Sequence, residues 1–250
     1  MAMQTIWITG ASGAIGSALA RRLSPGHRLV LSARREAELA ALAASLPGEV
    51  LLRPLDTLDA AAVRDTVAGL AADGVALTGL AHCVGSTLIR PLHLTAEDDA
   101  WQLMQHNWLS AVHVLKAFVA AALKHKQPAS AVLVGSLVAQ AGFPNHEAIA
   151  SAKAAVAALA QSTAASYAER GIRVNCVHPG LTVSALSVRL TGTPEAIARN
   201  AQANPMQRVG QGDDSAALIA FLLSPEAGWI TGQNIGVDGG HGVIHPLPKA

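Results

Sequence analysis

The sequence predicts a single α/β domain in which a doubly wound parallel sheet of about seven strands carries helices on both faces. Short apolar runs alternate with longer helical segments along all 250 residues, as parallel βαβ units require. The first apolar run ends in a glycine-rich turn, at residues 9–16. Hydrophobic residues make up 51% of the chain and aromatic residues only 3%, so small aliphatic side chains form the core, as suits helices packed on a parallel sheet.

The apolar runs and the segments between them define the elements in order. Strands are predicted at residues 4–9, 28–33, 50–52, 79–84, 131–136, 172–178 and 234–237. Helices are predicted at residues 14–23, 36–46, 60–72, 98–123, 147–169 and 213–222. No linker or repeat interrupts this order, so residues 1–250 are predicted to form one domain. Residues 185–212 are the most irregular stretch, and their place after the sixth strand predicts a lid.

Charge and composition exclude several classes of protein. The formal net charge of +1 does not indicate a nucleic-acid or anionic-membrane partner. Cys83 and Cys176 lie in predicted strands and do not resemble a disulfide framework, which favours a reducing cytoplasm. No signal peptide is expected, and polar residues cut every apolar stretch before the ~18 residues that a membrane span needs. The histidines show no zinc-binding spacing, so no metal is expected. A cytoplasmic protein that acts on a small molecule is the expectation.

The turn after the first strand is a predicted dinucleotide site. Glycines let the backbone approach a pyrophosphate, and the following helix N-terminus offers free N–H groups and a partial positive charge. The residues of this turn that we expect to contact the cofactor are Gly10, Ser12, Gly13, Ala14, Ile15 and Gly16.

The end of the second strand predicts which dinucleotide binds. A site for NAD places an acidic residue there to hold the ribose 2′-hydroxyl, but no Asp or Glu lies between Gly10 and Glu36. Arg34 and Arg35 stand there instead, and an arginine pairs well with a 2′-phosphate. NADP is therefore favoured over NAD, with Arg34 as the main contact.

Several motifs resemble the short-chain dehydrogenase/reductase family, whose fold is Rossmann-type. Residues 171–180, GIRVNCVHPG, are similar to the family's GIRVNxVxPG, and residues 237–240, VDGG, match its last strand. The glycine-rich turn fits TGxxxGxG, except that Ala14 replaces the middle glycine. Residues 82–85, HCVG, keep only the glycine of the family's NNAG, so the local hydrogen bonds must differ. The resemblance runs from residue 5 to about residue 242.

The resemblance implies further cofactor contacts. Asp56 corresponds to the family's aspartate that hydrogen-bonds the adenine amino group. The family uses its Pro-Gly turn to place backbone against the nicotinamide, its lysine to hold the ribose, and a threonine after the turn to bind the carboxamide. The residues of this chain at or near those positions are Lys153, Pro179, Gly180, Thr182 and Ser184, and Gly85, the glycine of the NNAG-like stretch, is a further expected contact.

The catalytic residues that the resemblance implies are incomplete. Ser136, Lys153 and Asn107 occupy the positions of the family's serine, lysine and asparagine, which steady the substrate oxygen, tune the proton donor and hold a relay water. The family's tyrosine donates the proton, but Ile149 stands in its place and cannot donate, accept or titrate. Tyr167, the single tyrosine, lies ~27 Å further along the same predicted helix and cannot replace it.

Three functions remain open. The favoured one is an NADP-dependent oxidoreductase of an apolar carbonyl or alcohol, with His146 or a water beside Lys153 as the altered acid. The first alternative is an NADP(H)-binding pseudoenzyme that serves as a sensor or partner subunit. The second is non-redox chemistry with Ser136 as an oxyanion donor. The family's long helices associate between subunits, so residues 98–123 and 147–169 imply a homodimer or homotetramer.

Overall fold

Seven parallel strands form one sheet in a computed structural model that describes residues 3–244. Residues 1, 2 and 245–250 of the predicted domain lie outside the described part. The strand order is β3-β2-β1-β4-β5-β6-β7, so the order reverses between β1 and β4. A crevice for a ligand forms at such a reversal, beyond the carboxyl ends of the strands. The strands are β1 (Thr5–Thr9), β2 (Arg28–Ser32), β3 (Val50–Leu52), β4 (Gly79–His82), β5 (Ala129–Val134), β6 (Ile172–Pro179) and β7 (Asn234–Val237).

Helices cover both faces of the sheet, which confirms the Rossmann-type fold class. They are α1 (Ala14–Leu23), α2 (Glu36–Ala44), α3 (Ala60–Ala72), α4 (Glu97–Met104), α5 (Ser110–His125), α6 (Glu147–Tyr167), α7 (Val188–Thr191), α8 (Pro194–Gln202) and α9 (Gly212–Leu223). A hydrophobic core lies on each face of the sheet. β1 contributes to both cores, because successive side chains of a strand point to opposite faces. Trp7 packs against α3, α5 and α6, whereas Ile6 and Ile8 pack against α1, α2 and α9. None of the described helices is both long and apolar enough to cross a bilayer.

The predicted helix at residues 98–123 forms as one helical run that contains a π-helical turn. This turn, Gln105–Leu109, lies between α4 and α5 and buries Asn107. Side chains satisfy two carbonyls around this turn: the Asn107 amide donates to the Leu103 oxygen at 2.9 Å, and the Ser110 hydroxyl donates to the His106 oxygen at 2.7 Å. A π-turn of this kind often marks a functional site, because it redirects one side chain.

The segment at residues 185–212 is more regular than its sequence indicates. It contains a 3-10 turn, Ala185–Ser187, followed by α7 and α8. Its end pairs with the chain after β6, where Thr182 and Gly210 form a parallel bridge. The segment therefore lies beside the carboxyl end of β6, and its role as a lid stays a prediction.

Candidate active site

The turn after β1 packs tightly against neighbouring backbone, so two of its positions require glycine. Gly10 has φ +71°, and a Cβ there would lie 2.7 Å from the Cys83 carbonyl oxygen. A Cβ on Gly16 would collide with the Gly10 carbonyl. Gly13 caps α1 without a side-chain hydrogen bond, and the first turn of α1 carries no acidic residue. Ser12, Ala14 and Ile15 are half-buried around this helix end, which suits an anionic pyrophosphate.

The two arginines at the end of β2 differ in their surroundings. Arg35 forms an ion pair with Glu38 in the first turn of α2, and both of its hydrogen bonds go to that carboxylate. Arg34 is exposed and forms no ion pair within residues 3–244. Hydrogen bonds from Arg35 and Ser12 lower the pKa of Glu38, so a carboxylate lies beside the glycine-rich turn. Glu38 was not predicted from the sequence, because it lies inside α2, beyond the end of β2 where an acidic residue would be expected.

Two predicted catalytic side chains meet at the end of β4. A Cβ on Gly85 would lie 2.8 Å from the Asn107 Oδ1 atom and 3.0 Å from the Lys153 Nζ atom, so both side chains pass close to Gly85. The Lys153 Nζ atom donates to the Val134 carbonyl oxygen at 2.9 Å, two residues before Ser136. Burial lowers the pKa of Lys153 from 10.5 to about 8. Asn107, Lys153 and the chain leading to Ser136 therefore converge on one point.

Ser86 is a polar residue of this site that sequence reasoning missed. The Asn107 Oδ1 atom accepts a hydrogen bond from the Ser86 amide at 3.2 Å, and the Asn107 Nδ2 atom donates to the Ser86 hydroxyl at 3.2 Å. Asn107 thus fixes the loop that follows Gly85. Because the Ser86 oxygen accepts from Asn107, its own proton is left to donate elsewhere.

Ser136 begins the 3-10 turn Leu137–Ala139. Its hydroxyl oxygen accepts a hydrogen bond from the Val138 amide at 3.4 Å, and the residue is half-buried. The hydroxyl proton is not used in that contact. Ser136 can therefore donate to a substrate oxygen, as its predicted role requires.

Ile149 fills the position of the absent tyrosine with a packed aliphatic side chain. It is 3% exposed and belongs to a small cluster with Leu103 and Ala152. Leu88 and Val138 pack against the same cluster, one from the loop after β4 and the other from the turn after Ser136. The site therefore has an apolar wall at the position where the resemblance would place a phenol.

His146 stands just outside α6, which begins at Glu147. Its Nδ1 atom lies 2.7 Å from the Pro144 carbonyl oxygen, so this nitrogen donates. Its ring meets Phe143 edge-on, with 6.0 Å between ring centroids. In the neutral ring the Nε2 atom then carries no proton, so His146 would have to be an imidazolium to act as the acid. The shared helical face that would align it with Ile149 and Lys153 does not form.

His82 replaces an asparagine of the family motif and makes two buried hydrogen bonds. Its Nδ1 atom lies 2.8 Å from the Thr9 hydroxyl, and its Nε2 atom lies 3.2 Å from the Ser110 hydroxyl. Because the Ser110 proton goes to the His106 carbonyl, the Nε2 atom is the donor and the Nδ1 atom accepts from Thr9. Burial, with a contribution from the Lys153 charge, lowers the pKa of His82 from 6.5 to about 3.

The remaining predicted cofactor contacts lie at the ends of β3 and β6. A Cβ on Gly180 would lie 2.8 Å from the Asp238 Cα atom, so the Pro179–Gly180 turn packs tightly against the end of β7. The Thr182 hydroxyl donates to the Gly180 carbonyl oxygen, and Ser184 caps the turn Ala185–Ser187. Asp56 is exposed, and its carboxylate accepts from the Leu58 amide. Thr182, Ser184 and Asp56 thus each make a local hydrogen bond, and their cofactor contacts stay predictions.

The C-terminal turn closes one side of the site. The Asp238 carboxylate accepts hydrogen bonds from the Gly240 and Gly242 amides, at 2.9 and 2.8 Å. A Cβ on Gly242 would collide with the Leu137 side chain, so the turn lies against the segment after Ser136. The Asn204 amide donates to the Asp238 carbonyl oxygen at 2.7 Å and joins the turn to the segment at residues 185–212. Within residues 3–244, no three His, Cys, Asp or Glu side chains are grouped to hold a metal ion.

Known proteins resemble this chain over nearly its whole length. The enoyl-(acyl carrier protein) reductase family model matches residues 10–242. The 3-oxoacyl-acyl-carrier-protein reductase FabG of Haemophilus influenzae is 31% identical over 93% of this chain and 96% of its own. A short-chain type dehydrogenase/reductase from Mycobacterium ulcerans is 27% identical, with a TM-score of 0.90 over 97% of this chain and 92% of its own. An actinorhodin polyketide ketoreductase with NADPH shares the fold at 23% identity, with a TM-score of 0.91 over 97% of this chain and 98% of its own.

Proposed function

This chain belongs to the short-chain dehydrogenase/reductase family, and we propose that it is an NADP-dependent oxidoreductase of an apolar carbonyl or alcohol that works without the tyrosine acid. The observation that carries the proposal is the convergence of Asn107 and Lys153 on Gly85, close to Ser136. A protein that only binds a nucleotide has use for Lys153 but no evident need of Ser136 and Asn107.

The residues around the carboxyl ends of β1 and β2 fit a phosphorylated dinucleotide. The uncapped α1 N-terminus and the Gly10 turn suit the pyrophosphate, and Arg34 suits a 2′-phosphate. When bound, the cofactor supplies or accepts the hydride. The ketoreductase neighbour was solved with NADPH, which supports the proposed choice of dinucleotide.

The chain's own residues hold the substrate oxygen and leave its proton source open. The Ser136 hydroxyl donates to the substrate oxygen, and the Lys153 ammonium supplies positive charge nearby. Ile149 supplies only apolar contact, so the proton comes from bound water beside Lys153 or from His146 in its imidazolium form. Losing a positioned acid lowers the rate by about 10² to 10⁴. We therefore propose a slow enzyme, or one whose substrate stabilises its own developing charge. Leu88 beside Ile149 supports an apolar substrate.

The experiment that tests this function is NADPH oxidation by the wild-type protein against a panel of apolar ketones and aldehydes. We expect slow turnover that depends on enzyme concentration and yields the corresponding alcohol. NADPH binding without turnover of any carbonyl would overturn the proposal in favour of a pseudoenzyme. Ile149, which cannot donate a proton, is the residue that favours this alternative. A product of unchanged oxidation state would indicate non-redox chemistry instead.

Cofactor choice gives a separate prediction. The Arg34→Ala variant is expected to bind NADPH roughly 10- to 100-fold more weakly and NADH about as well as wild type, because only NADPH carries the 2′-phosphate. Arg35→Ala is the matched control, with a smaller expected effect, because Glu38 already holds Arg35. Fluorescence titration with each dinucleotide measures both. Equal weakening of NADPH and NADH by Arg34→Ala would contradict the assignment of the 2′-phosphate contact.

A homodimer or homotetramer is part of the proposal. The outer faces of α5 and α6 leave a groove of about 290 Å³ between them. Its lining includes apolar groups of both helices. Tyr167, the single tyrosine, also lines the groove and lies far from Ile149. The lining residues are Val112, Leu115, Lys116, Val119, Ala120, Leu123, Leu159, Thr163 and Tyr167. A second subunit that packs its own α5 and α6 here would cover the groove.

A further inference from the structure

His178 is a buried polar side chain for which the proposed function has not accounted. It lies in β6 directly before Pro179 and is 0% exposed. Its Nε2 atom lies 2.9 Å from the Asn234 Oδ1 atom on the neighbouring strand β7. Its Nδ1 atom lies 3.2 Å from the Ser136 amide nitrogen and 2.9 Å from the Ser136 carbonyl oxygen. The ring therefore joins the edge of the sheet to the backbone of Ser136.

Gly135 and the His178 ring fit each other. A Cβ on Gly135 would lie 2.6 Å from both the Nδ1 and the Cε1 atoms of that ring, and 3.0 Å from the Cys176 sulfur. A side chain at position 135 would collide with the imidazole. The backbone just before Ser136 therefore packs directly against the His178 ring.

The hydrogen bonds assign the proton on the ring. The Asn234 oxygen faces Nε2 and requires a donor, which puts the proton of the neutral imidazole on Nε2; a proton on Nδ1 would instead be donated to the Ser136 carbonyl oxygen. The Nδ1 atom is then an acceptor, and the Ser136 amide donates to it. Asn234 in this way orients the ring, and the ring orients the backbone of Ser136.

We propose that His178 is a positioning residue that sets the direction of the Ser136 hydroxyl. The backbone of Ser136 is extended, with φ −165° and ψ 151°, and His178 holds its amide. The Val138 amide holds the Ser136 oxygen from the other side. These two contacts hold the Ser136 backbone and its Oγ atom, so the hydroxyl donates from a fixed place. The kinetic consequence rests on the proposed reductase function, whereas the hydrogen bonds do not.

Two substitutions separate the two contacts of the ring. The amide of His178→Asn reaches the place of Nδ1, so this variant keeps the contact with Ser136 and loses that with Asn234. The longer amide of His178→Gln reaches the place of Nε2, so it keeps Asn234 and loses Ser136. Turnover of a substrate found in the panel should fall about 10²-fold in His178→Gln, the cost of a small misplacement. His178→Asn should stay within a few-fold of wild type, and the NADPH dissociation constant should not change in either variant.

If His178 had a merely structural role, His178→Asn would lose more activity than His178→Gln, because asparagine is shorter and leaves the larger cavity. Equal losses, or a greater loss in His178→Asn, would overturn the proposal. A second measurement needs neither activity nor a variant: nitrogen NMR of the wild-type imidazole should show the proton on Nε2, and the Ser136 amide should be protected from hydrogen exchange. A neutral ring protonated on Nδ1, or a fast-exchanging Ser136 amide, would overturn it as well. Absence of any carbonyl turnover would overturn the proposed function alone.

Discussion

The Ile149→Tyr variant is expected to reduce carbonyl substrates about 10² to 10⁴ times faster than wild type, the contribution of a positioned general acid. Position 149 lies one helical turn before Lys153 in α6, so the two side chains share a helix face. The Lys153 ammonium would lower the pKa of the new phenol, because a nearby positive charge favours the phenolate. Ser136 and Asn107 stand at the positions that the resemblance assigns to the partners of that phenol.

Packing sets the cost of that substitution and supplies its control. Ile149 is 3% exposed among Leu103, Ala152, Leu88 and Val138, so a larger side chain is expected to cost about 1 to 3 kcal/mol of stability. Ile149→Phe adds the same ring without the hydroxyl. Initial rates of NADPH oxidation and urea unfolding of both variants separate chemistry from packing. If the phenylalanine variant gains as much activity as the tyrosine variant, proton donation is not what the wild-type site lacks.

Acid is expected to destabilise the wild-type protein through His82. The folded-state pKa of about 3 lies below the unfolded-state value of 6.5, so below pH 6.5 the unfolded chain takes up a proton that the folded chain does not. This contribution to stability is fully present above pH 6.5 and is lost as the pH falls toward 3, by up to ~1.4 kcal/mol per pH unit. Between pH 7.5 and pH 5, the loss from this one group is about 2 kcal/mol.

His82→Asn isolates that effect, because every other titrating group stays the same. At pH 7.5 the variant should be about 1 kcal/mol less stable than wild type, since Ser110 loses its donor. Near pH 5 the order should reverse, because asparagine does not titrate. Urea unfolding at a series of pH values gives the two curves. Curves that run parallel from pH 7.5 to pH 5 would show that His82 is not the group responsible.

The fold was predictable because it depends on local patterns. The glycine-rich turn and the strand-and-helix alternation gave the sheet, and β3, β7, α1 and α3 begin and end at the predicted residues. The π-turn around Asn107 was not predictable, because the helical spacing of apolar residues continues through residues 105–109. Side-chain hydrogen bonds from Asn107 and Ser110 to carbonyls of the same helix accompany the π-turn.

The candidate site was predictable where a motif fixed a position, and only there. Gly85, Asn107 and Lys153 come together as the resemblance implies. No motif fixes the identity of Glu38, Ser86 or His178, and the last two matter through partners that are distant in the chain. His178 reaches Ser136 across 42 residues, and Ser86 reaches Asn107 across 21. Only the fold shows such pairs, because a side chain's neighbours depend on strand order and not on sequence spacing.

The C-terminal turn bears on how the protein should be handled. Residues 238–244 lie against the segment after Ser136 and are joined to the segment at residues 185–212 through Asn204. A label attached at the exposed Val243 would therefore lie beside the segment that follows Ser136. The amino ends of parallel strands share the opposite edge of the sheet, and Met3 is exposed just before β1 begins there. A label attached at Met3 would lie at that opposite edge, away from Ser136.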